Sequence, residues 1–314
     1  MLIMLEDKPY PGTFSTDAPF MMSLAKAYAF CNNYLQVSFP SLPGYLAISG
    51  GDTFGFNSQP WPCNDAAPGD LIADGCSIQP APTSLNTLAY LFDKKGLTWK
   101  AYEEDIPCPA WAYDYHHQPY TDLTPPMYSA NHNPWIYYRS IYGTGAYPTS
   151  DPWPSVPTST ASAYAQAHIV DFNALKSDLA NHTLPNFAQV EANENHVGGD
   201  YSSLANSDAW VKSFLTPILN DSVIMRDTVV FITYDDTGHG TPYGTIYGCL
   251  IGNSSIVKQG YVSNNSYNHF SLVATIEAIF ALGNLGRYDA SAPVMSDLFA
   301  SLAPTMLTLK VTQV

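Results

Sequence analysis

Short unbroken apolar runs alternate with amphipathic stretches along this chain, and that alternation predicts an α/β protein. Leu2-Ile3-Met4-Leu5 has no polar position, as a strand buried on both faces requires, and it ends in Glu6-Asp7. Asp17 and Pro19 open a helix through about Phe30, apolar at Phe20, Met21, Leu24, Ala27 and Tyr28. After Pro43, residues Gly44 to Ile48 form a short helix that Gly50-Gly51 stop. Thr83 or Ser84 caps a helix through Lys95, closed by Gly96. Leu97 to Tyr102 reads as the next strand, with Glu103-Glu104-Asp105 at its tip. A helix over Asp171 to Ala180 and a strand over Phe187 to Val190 lead to Glu191-Ala192-Asn193-Glu194-Asn195-His196. Leu204 to Leu219 is a helix with Trp210, Phe214 and Leu215 inward. Thr228 to Thr233 is the clearest buried strand and ends in Tyr234-Asp235-Asp236. Gly244 to Ile251 is another strand. Asn268-His269 opens an amphipathic helix through Leu282, terminated by Gly283, and Val294 to Leu302 is a further helix. Met306 to Val314 alternates apolar and polar, a half-exposed terminal strand whose free edge offers a route to self-association.

Two stretches escape this pattern. Residues 52–82 are rich in Gly, Pro and Asp and read as loop. Residues 106–165 are dense in Pro, Tyr, Trp and His and read as an insertion or cap within one domain, 1–314. Its aromatics either line a substrate cleft or simply pack as coil.

Charge narrows the partners. A net charge of −15 over 314 residues repels a nucleic-acid backbone and an anionic bilayer surface. No run is long and apolar enough to span a membrane, and no signal peptide is visible at the start. Among the five cysteines no C-x-x-C pair occurs; Cys63 and Cys76 bracket a loop and are the expected disulfide, Cys108 is a candidate for pairing with another, and Cys249 reads as a buried free thiol. Asn-x-Ser/Thr triplets begin at Asn181, Asn220, Asn253 and Asn264, which fits a secreted or cell-surface glycoprotein.

Three strand tips carry chemistry: Glu6-Asp7, Asn193/Glu194/His196 and Asp235-Asp236. Carboxyl ends of parallel strands are where open α/β sheets build sites. Adjacent carboxylates repel unless a cation sits between them, so two such pairs point to a divalent metal with oxygen ligands. Ser41 stands at a helix start, where backbone N–H groups favour an anion, and reads either as an N-cap or as a nucleophile toward phosphorus. His196 and His269 join as ligands, phosphate donors or leaving-group acid.

Seven segments in order carry a resemblance: MLEDKPY, FPSLPGYLAISG, YEEDIP, HNPWIYY, LPNFAQVEANENH, ITYDDTGHG and YNHFSLVATIEAIFALGNLG. From residue 3 to about 302 the chain resembles the secreted phosphoesterase family of acid phosphatases and phospholipases C. That family has the alkaline-phosphatase-like fold, a three-layer sandwich with a mostly parallel central sheet. The resemblance implies that Glu6, Asp7, Asp235 and Asp236 bind a divalent metal with Ser41, which is nucleophile or ligand. It implies that His132, Asn133, His196 and His269 contact phosphate or metal, and that Glu104 orients a neighbour. Phe39 stands where the family has His, and Gly44 where it has an Asn that holds a phosphoryl oxygen. The catalytic set is therefore Ser41, His196 and His269, with Gly44, His132 and Asn133 for the substrate.

The implied activity is an extracytoplasmic, metal-assisted phosphomonoesterase acting on phosphate esters. The alternatives are a phospholipase C-like phosphodiesterase and a quiet surface or assembly protein. A sulfatase ranks low, because Ser41-Leu42-Pro43-Gly44-Tyr45 lacks the arginine that its nucleophile motif needs.

Overall fold

A computed structural model describes residues 1–55, 86–112, 127–145, 158–199, 202–238 and 243–301. Its elements are β1 (Leu2–Leu5), α1 (Phe14–Asp17), α2 (Pro19–Ala27), β2 (Ala29–Cys31), β3 (Tyr34–Leu35), α3 (Ser41–Gly50), α4 (Leu88–Lys95) and β4 (Trp99–Glu103). Then come α5 (Arg139–Tyr142), α6 (Ala163–His168), β5 (Ile169–Asp171), α7 (Phe172–Ala180), β6 (Phe187–Glu191), α8 (Leu204–Leu219) and α9 (Ser222–Met225). The chain continues through β7 (Val229–Tyr234), β8 (Thr245–Ile246), β9 (Gly248–Gly252), β10 (Tyr261–Ser263), β11 (Tyr267–Asn268) and α10 (His269–Phe280).

Eight strands form one sheet in the order β10-β2-β9-β7-β1-β6-β4-β5, and β11-β3-β8 form a small second one. The run β7-β1-β6-β4-β5 is parallel throughout, and β9 alone opposes its neighbours β7 and β2. Period-two alternation along β7 sends Tyr234 onto the Phe14 ring and Met21, and sends Phe231 to the side where Leu272 and Ile276 of α10 lie. Helices therefore cover both faces, as the three-layer expectation requires. A cavity of about 410 Å³ lies beneath α10 beside the strand starts Leu2, Phe187 and Val229, at the end opposite the acidic tips.

Several boundaries depart from the sequence expectation. The helix from Asp17 stops at Ala27, and Ala29–Cys31 becomes β2, because that apolar triplet is buried between β9 and β10. The cap of α4 is Thr87, whose hydroxyl accepts the Tyr90 N–H; Thr83 and Ser84 lie outside the described residues. The strand at 244–251 breaks at Tyr247, whose ring stacks on Phe14, and its halves join different sheets. Helix α10 ends at Phe280 with Ala281 in the left-handed region, before Gly283. No α-helix forms over the described part of 294–302. Ser296–Leu298 is one 3₁₀ turn, held because Asp297 accepts hydrogen bonds from Tyr261, Ser263, Asn265 and Tyr267.

In the described parts of 106–165, Trp111, Tyr128, Trp135, Tyr137 and Tyr138 are buried in the main core, and Trp135 packs on Trp99. These rings are packing, not cleft lining. Tyr113, Tyr115 and Tyr120 lie outside the described residues, as do Cys63, Cys76 and the alternating segment 306–314. Cys31, Cys108 and Cys249 are free thiols, so Cys108 is not paired and Cys249 is as expected.

Candidate functional site

Sheet order decides which tips meet. β1 lies between β6 and β7, and β4 lies beyond β6, so four acidic strand ends stand side by side. The chain leaves β1 as Glu6-Asp7, β6 as Glu191, β7 as Asp235-Asp236 and β4 as Glu103-Glu104. One carboxylate oxygen each from Glu6, Asp7 and Asp235 falls within 4.8 Å of the others.

Backbone geometry holds this triangle. Asp7 sits at φ 63°, in the left-handed region, and its N–H donates to Asp235 Oδ1 at 2.9 Å. Asp236 N–H donates to the same oxygen at 2.6 Å, and Gly238 N–H donates to Asp236 Oδ1 at 2.6 Å. A side chain at Gly238 would come within 2.9 Å of the Asp7 carbonyl oxygen, so glycine lets the two tips close on each other.

Three of these carboxyls keep a buried oxygen with no hydrogen-bond partner: Glu6 Oε1, Asp235 Oδ2 and Asp236 Oδ2. Burial first, then mutual repulsion, raises all three pKa values, Asp236 to about 10 and the other two well above the carboxylate range. Orphaned, hard oxygens packed this closely fit a divalent cation of the Mg²⁺, Ca²⁺ or Mn²⁺ kind.

Ser41 lies against this cluster. The Phe39–Pro40 peptide is cis, Pro40 is the N-cap of α3, and no side chain caps the helix. Ser41 is the first helical residue and its Oγ–H donates to Glu6 Oε2 at 2.9 Å. Its hydroxyl is thus spent on the acidic centre and not on capping, which removes the N-cap alternative. Gly44 follows in the first turn. A Cβ there would lie 3.3 Å from the Asp235 carbonyl oxygen and 3.6 Å from His269 Nε2, so this position faces the strand tip with backbone alone.

The histidines separate into three environments. His132 Nε2 lies 3.1 Å from Glu6 Oε2, within ion-pair distance, and its Nδ1 lies 3.8 Å from Glu194 Oε1. His269 is fully buried: Nε2–H donates to the Asp235 carbonyl at 2.9 Å and Nδ1 accepts the Tyr34 hydroxyl at 3.1 Å. Burial lowers its pKa to about 4, so the ring is neutral and both nitrogens are occupied. His196 belongs to a second cluster with Glu104, Asp105 and Asn193. Its Nδ1 bonds Glu104 Oε2 at 2.8 Å, which raises its pKa, and its side chain is 38% exposed. Glu104 thus orients His196 and also accepts the Asn193 N–H. Asn133 is buried, its amide donating to the Tyr128 hydroxyl at 3.0 Å.

Two residues that the sequence pattern did not single out complete the site. Tyr45 stacks on His132 with centroids 5.4 Å apart and 13° between planes, and its hydroxyl donates to Glu191 Oε1 at 2.8 Å. Glu191 is opposite Glu103 in the β4–β6 ladder; both are buried, and both pKa values are raised, chiefly by desolvation. The signal was present, since Tyr45 stands four residues after Ser41 and so shares its helix face.

The chain is 27% identical over 277 residues to an acid phosphatase of Aspergillus fumigatus, covering 88% of this chain and 53% of that one. It is 24% identical over 287 residues to a phosphatidylinositol-3-phosphatase of Mycobacterium tuberculosis, covering 90% and 76%. The chain spans little more than half the length of that fungal relative. A Vibrio parahaemolyticus protein in the alkaline phosphatase superfamily superposes with a TM-score of 0.53 at 13% identity, over 95% of this chain and 71% of that one, and shares the fold. A model of the phosphoesterase family matches residues 12–283, and the chain belongs to that family.

Proposed function

We propose that this chain is a metal-assisted phosphoric monoester hydrolase of the acid phosphatase type, with Ser41 as nucleophile. The observation that carries the reading is the Ser41 hydroxyl, 2.9 Å from Glu6 at an uncapped helix N-terminus beside three carboxyls with orphaned oxygens. Glu6, Asp7, Asp235 and Asp236 would hold the divalent ion, which when bound neutralises their repulsion and polarises phosphoryl oxygens. Ser41 Oγ attacks phosphorus as its proton leaves along the hydrogen bond to Glu6 Oε2, the new O–P bond forming as the bond to the alcohol breaks. The departing alkoxide takes a proton from His196, the one of the three histidines open to solvent. Water then attacks the phosphoserine as its proton passes to His196, the P–Oγ bond breaks as Ser41 Oγ regains its proton from Glu6, and phosphate leaves. Backbone N–H groups of the first turn of α3 receive the anionic oxygens. The names of the fungal and mycobacterial relatives both denote phosphatases, which favours a monoester over a diester. The four Asn-x-Ser/Thr triplets and the scarcity of Lys and Arg support an extracytoplasmic setting, and no helix among the described residues is long and apolar enough to cross a membrane.

The test is release of inorganic phosphate from p-nitrophenyl phosphate, with bis-p-nitrophenyl phosphate as the diester control. The expected result is monoester turnover that EDTA abolishes and a divalent ion restores, with Ser41→Ala reducing kcat at least ~10³-fold. Full activity in Ser41→Ala, or none with Mg²⁺, Mn²⁺, Ca²⁺ or Zn²⁺, defeats the reading.

A further inference from the structure

Glu6 depends on a residue whose own orientation needs explaining. Its Oε2 accepts Ser41 Oγ–H and lies 3.1 Å from His132 Nε2, which leaves Oε1 as the oxygen without a partner. His132 therefore aims Glu6. A histidine that orients a metal ligand is ordinarily fixed in plane by a hydrogen bond on its other nitrogen. Here that nitrogen, Nδ1, is buried and has no hydrogen-bond partner. What fixes the ring is the Tyr45 face, nearly parallel to it at 13°. Tyr45 is in turn fixed at its far end, where the hydroxyl donates to Glu191 Oε1 at 2.8 Å.

We propose that Tyr45 and Glu191 are positioning residues for the acidic centre, acting through the stacked His132 ring on Glu6. The inference rests on the phosphatase reading for its kinetic consequence and on geometry alone for its structural one. Helix α3 makes the arrangement possible: Ser41 and Tyr45, one turn apart, present the nucleophile and the support of its carboxylate partner from a single rigid face. Glu191 ends β6, the strand beside β1, so its carboxyl is set by the same sheet that sets Glu6. The role assigned to His132 shifts accordingly, from binding substrate to holding Glu6.

The experiment uses the whole chain and four variants: Tyr45→Leu, Tyr45→Phe, Glu191→Gln and Glu191→Leu. Near-ultraviolet circular dichroism verifies folding in each. Tyr45→Leu removes the stacked face and is expected to lower kcat on p-nitrophenyl phosphate ~10–100-fold with KM changed less than about threefold, and to weaken Mn²⁺ binding by a similar factor in calorimetry. Tyr45→Phe keeps the ring and loses the tether, so its loss is smaller. Glu191→Gln keeps a carbonyl acceptor for the Tyr45 hydroxyl and is expected to retain most activity, whereas Glu191→Leu is not. The readout independent of activity is the His132 ring N–H resonance in ¹⁵N NMR, protected from exchange in the parent chain and exposed in Tyr45→Leu. An unchanged His132 resonance and unchanged Mn²⁺ affinity in folded Tyr45→Leu overturn the proposal, as does a Glu191→Gln variant as impaired as Glu191→Leu. A parent chain without phosphatase activity defeats the functional reading instead, and the His132 resonance still decides this one.

Discussion

His269 shows how far one contact separates residue type from residue role. As a histidine beside the acidic tips it resembles a ligand or acid, yet both nitrogens are consumed, one by the Asp235 carbonyl and one by Tyr34. Its task is to hold the β7 tip. His269→Phe strips the Asp235 carbonyl of a donor and the buried Tyr34 hydroxyl of its bond to Nδ1, which costs about 1–3 kcal/mol in urea denaturation. The pH dependence has a definite sign. The unfolded ring takes up a proton from about pH 6.5 downward while the folded ring, with a pKa of about 4, does not. Stability from this group is complete above pH 6.5 and lost as pH falls toward 4, at ~1.4 kcal/mol per unit. The difference in stability between the parent and His269→Phe should therefore shrink between pH 7 and pH 4.5. His196 is the opposite case, half-exposed and raised by Glu104. His196→Asn should slow alkyl phosphates, whose alkoxides need a proton, at least ~10-fold more than p-nitrophenyl phosphate.

At the scale of elements, α3 and α10 act as one unit. The chain after α10 is tied to the end of α3: Arg287 Nη1 donates to the Gly50 carbonyl and Tyr288 N–H to the Gly51 carbonyl. Leu285 N–H donates to both Glu277 Oε1 and Asp289 Oδ2, bringing two carboxyls together. Burial, then Asp289, raises the Glu277 pKa to about 8. The folded state therefore holds a proton that the unfolded chain releases near pH 4.5, and stability from this carboxyl falls as pH rises from 4.5 to 8. Glu277→Gln should flatten that decline in thermal unfolding between pH 5 and 8. Asn268 begins α10 with a capping box shared with Ser271. Asn268→Ala should cost about 0.5–2 kcal/mol, with some loss of kcat because the helix start carries His269.

For the whole molecule, the decisive quantity is negative charge gathered at one end of the sheet. A net charge of −15 surrounds a centre where Glu6, Asp235 and Asp236 are already driven toward their protonated forms. Protons and a cation compete for the same oxygens. A divalent ion should therefore raise the unfolding temperature more at pH 8 than at pH 5, and EDTA should reverse the gain, as differential scanning calorimetry would show. Equal shifts at both pH values would mean that the ion binds elsewhere.

The sequence by itself determined what is local. The unbroken apolar runs of β1 and β7, the amphipathic faces of α8 and α10, and the acids at the strand tips are all readable because strand and helix periods are properties of neighbours in the chain. Short apolar segments such as Ala29–Cys31 were not readable, since three residues carry no period and their strand pairing comes from β9 and β10. Tertiary structure alone decided which tips adjoin, because sheet order places β1 between β6 and β7 without regard to the distance between them in sequence. It also decided what each side chain does there. Ser41, His132, His196 and His269 were all legible as reactive types, but a hydroxyl or an imidazole acquires its role from the atoms opposite it, and those atoms come from other strands.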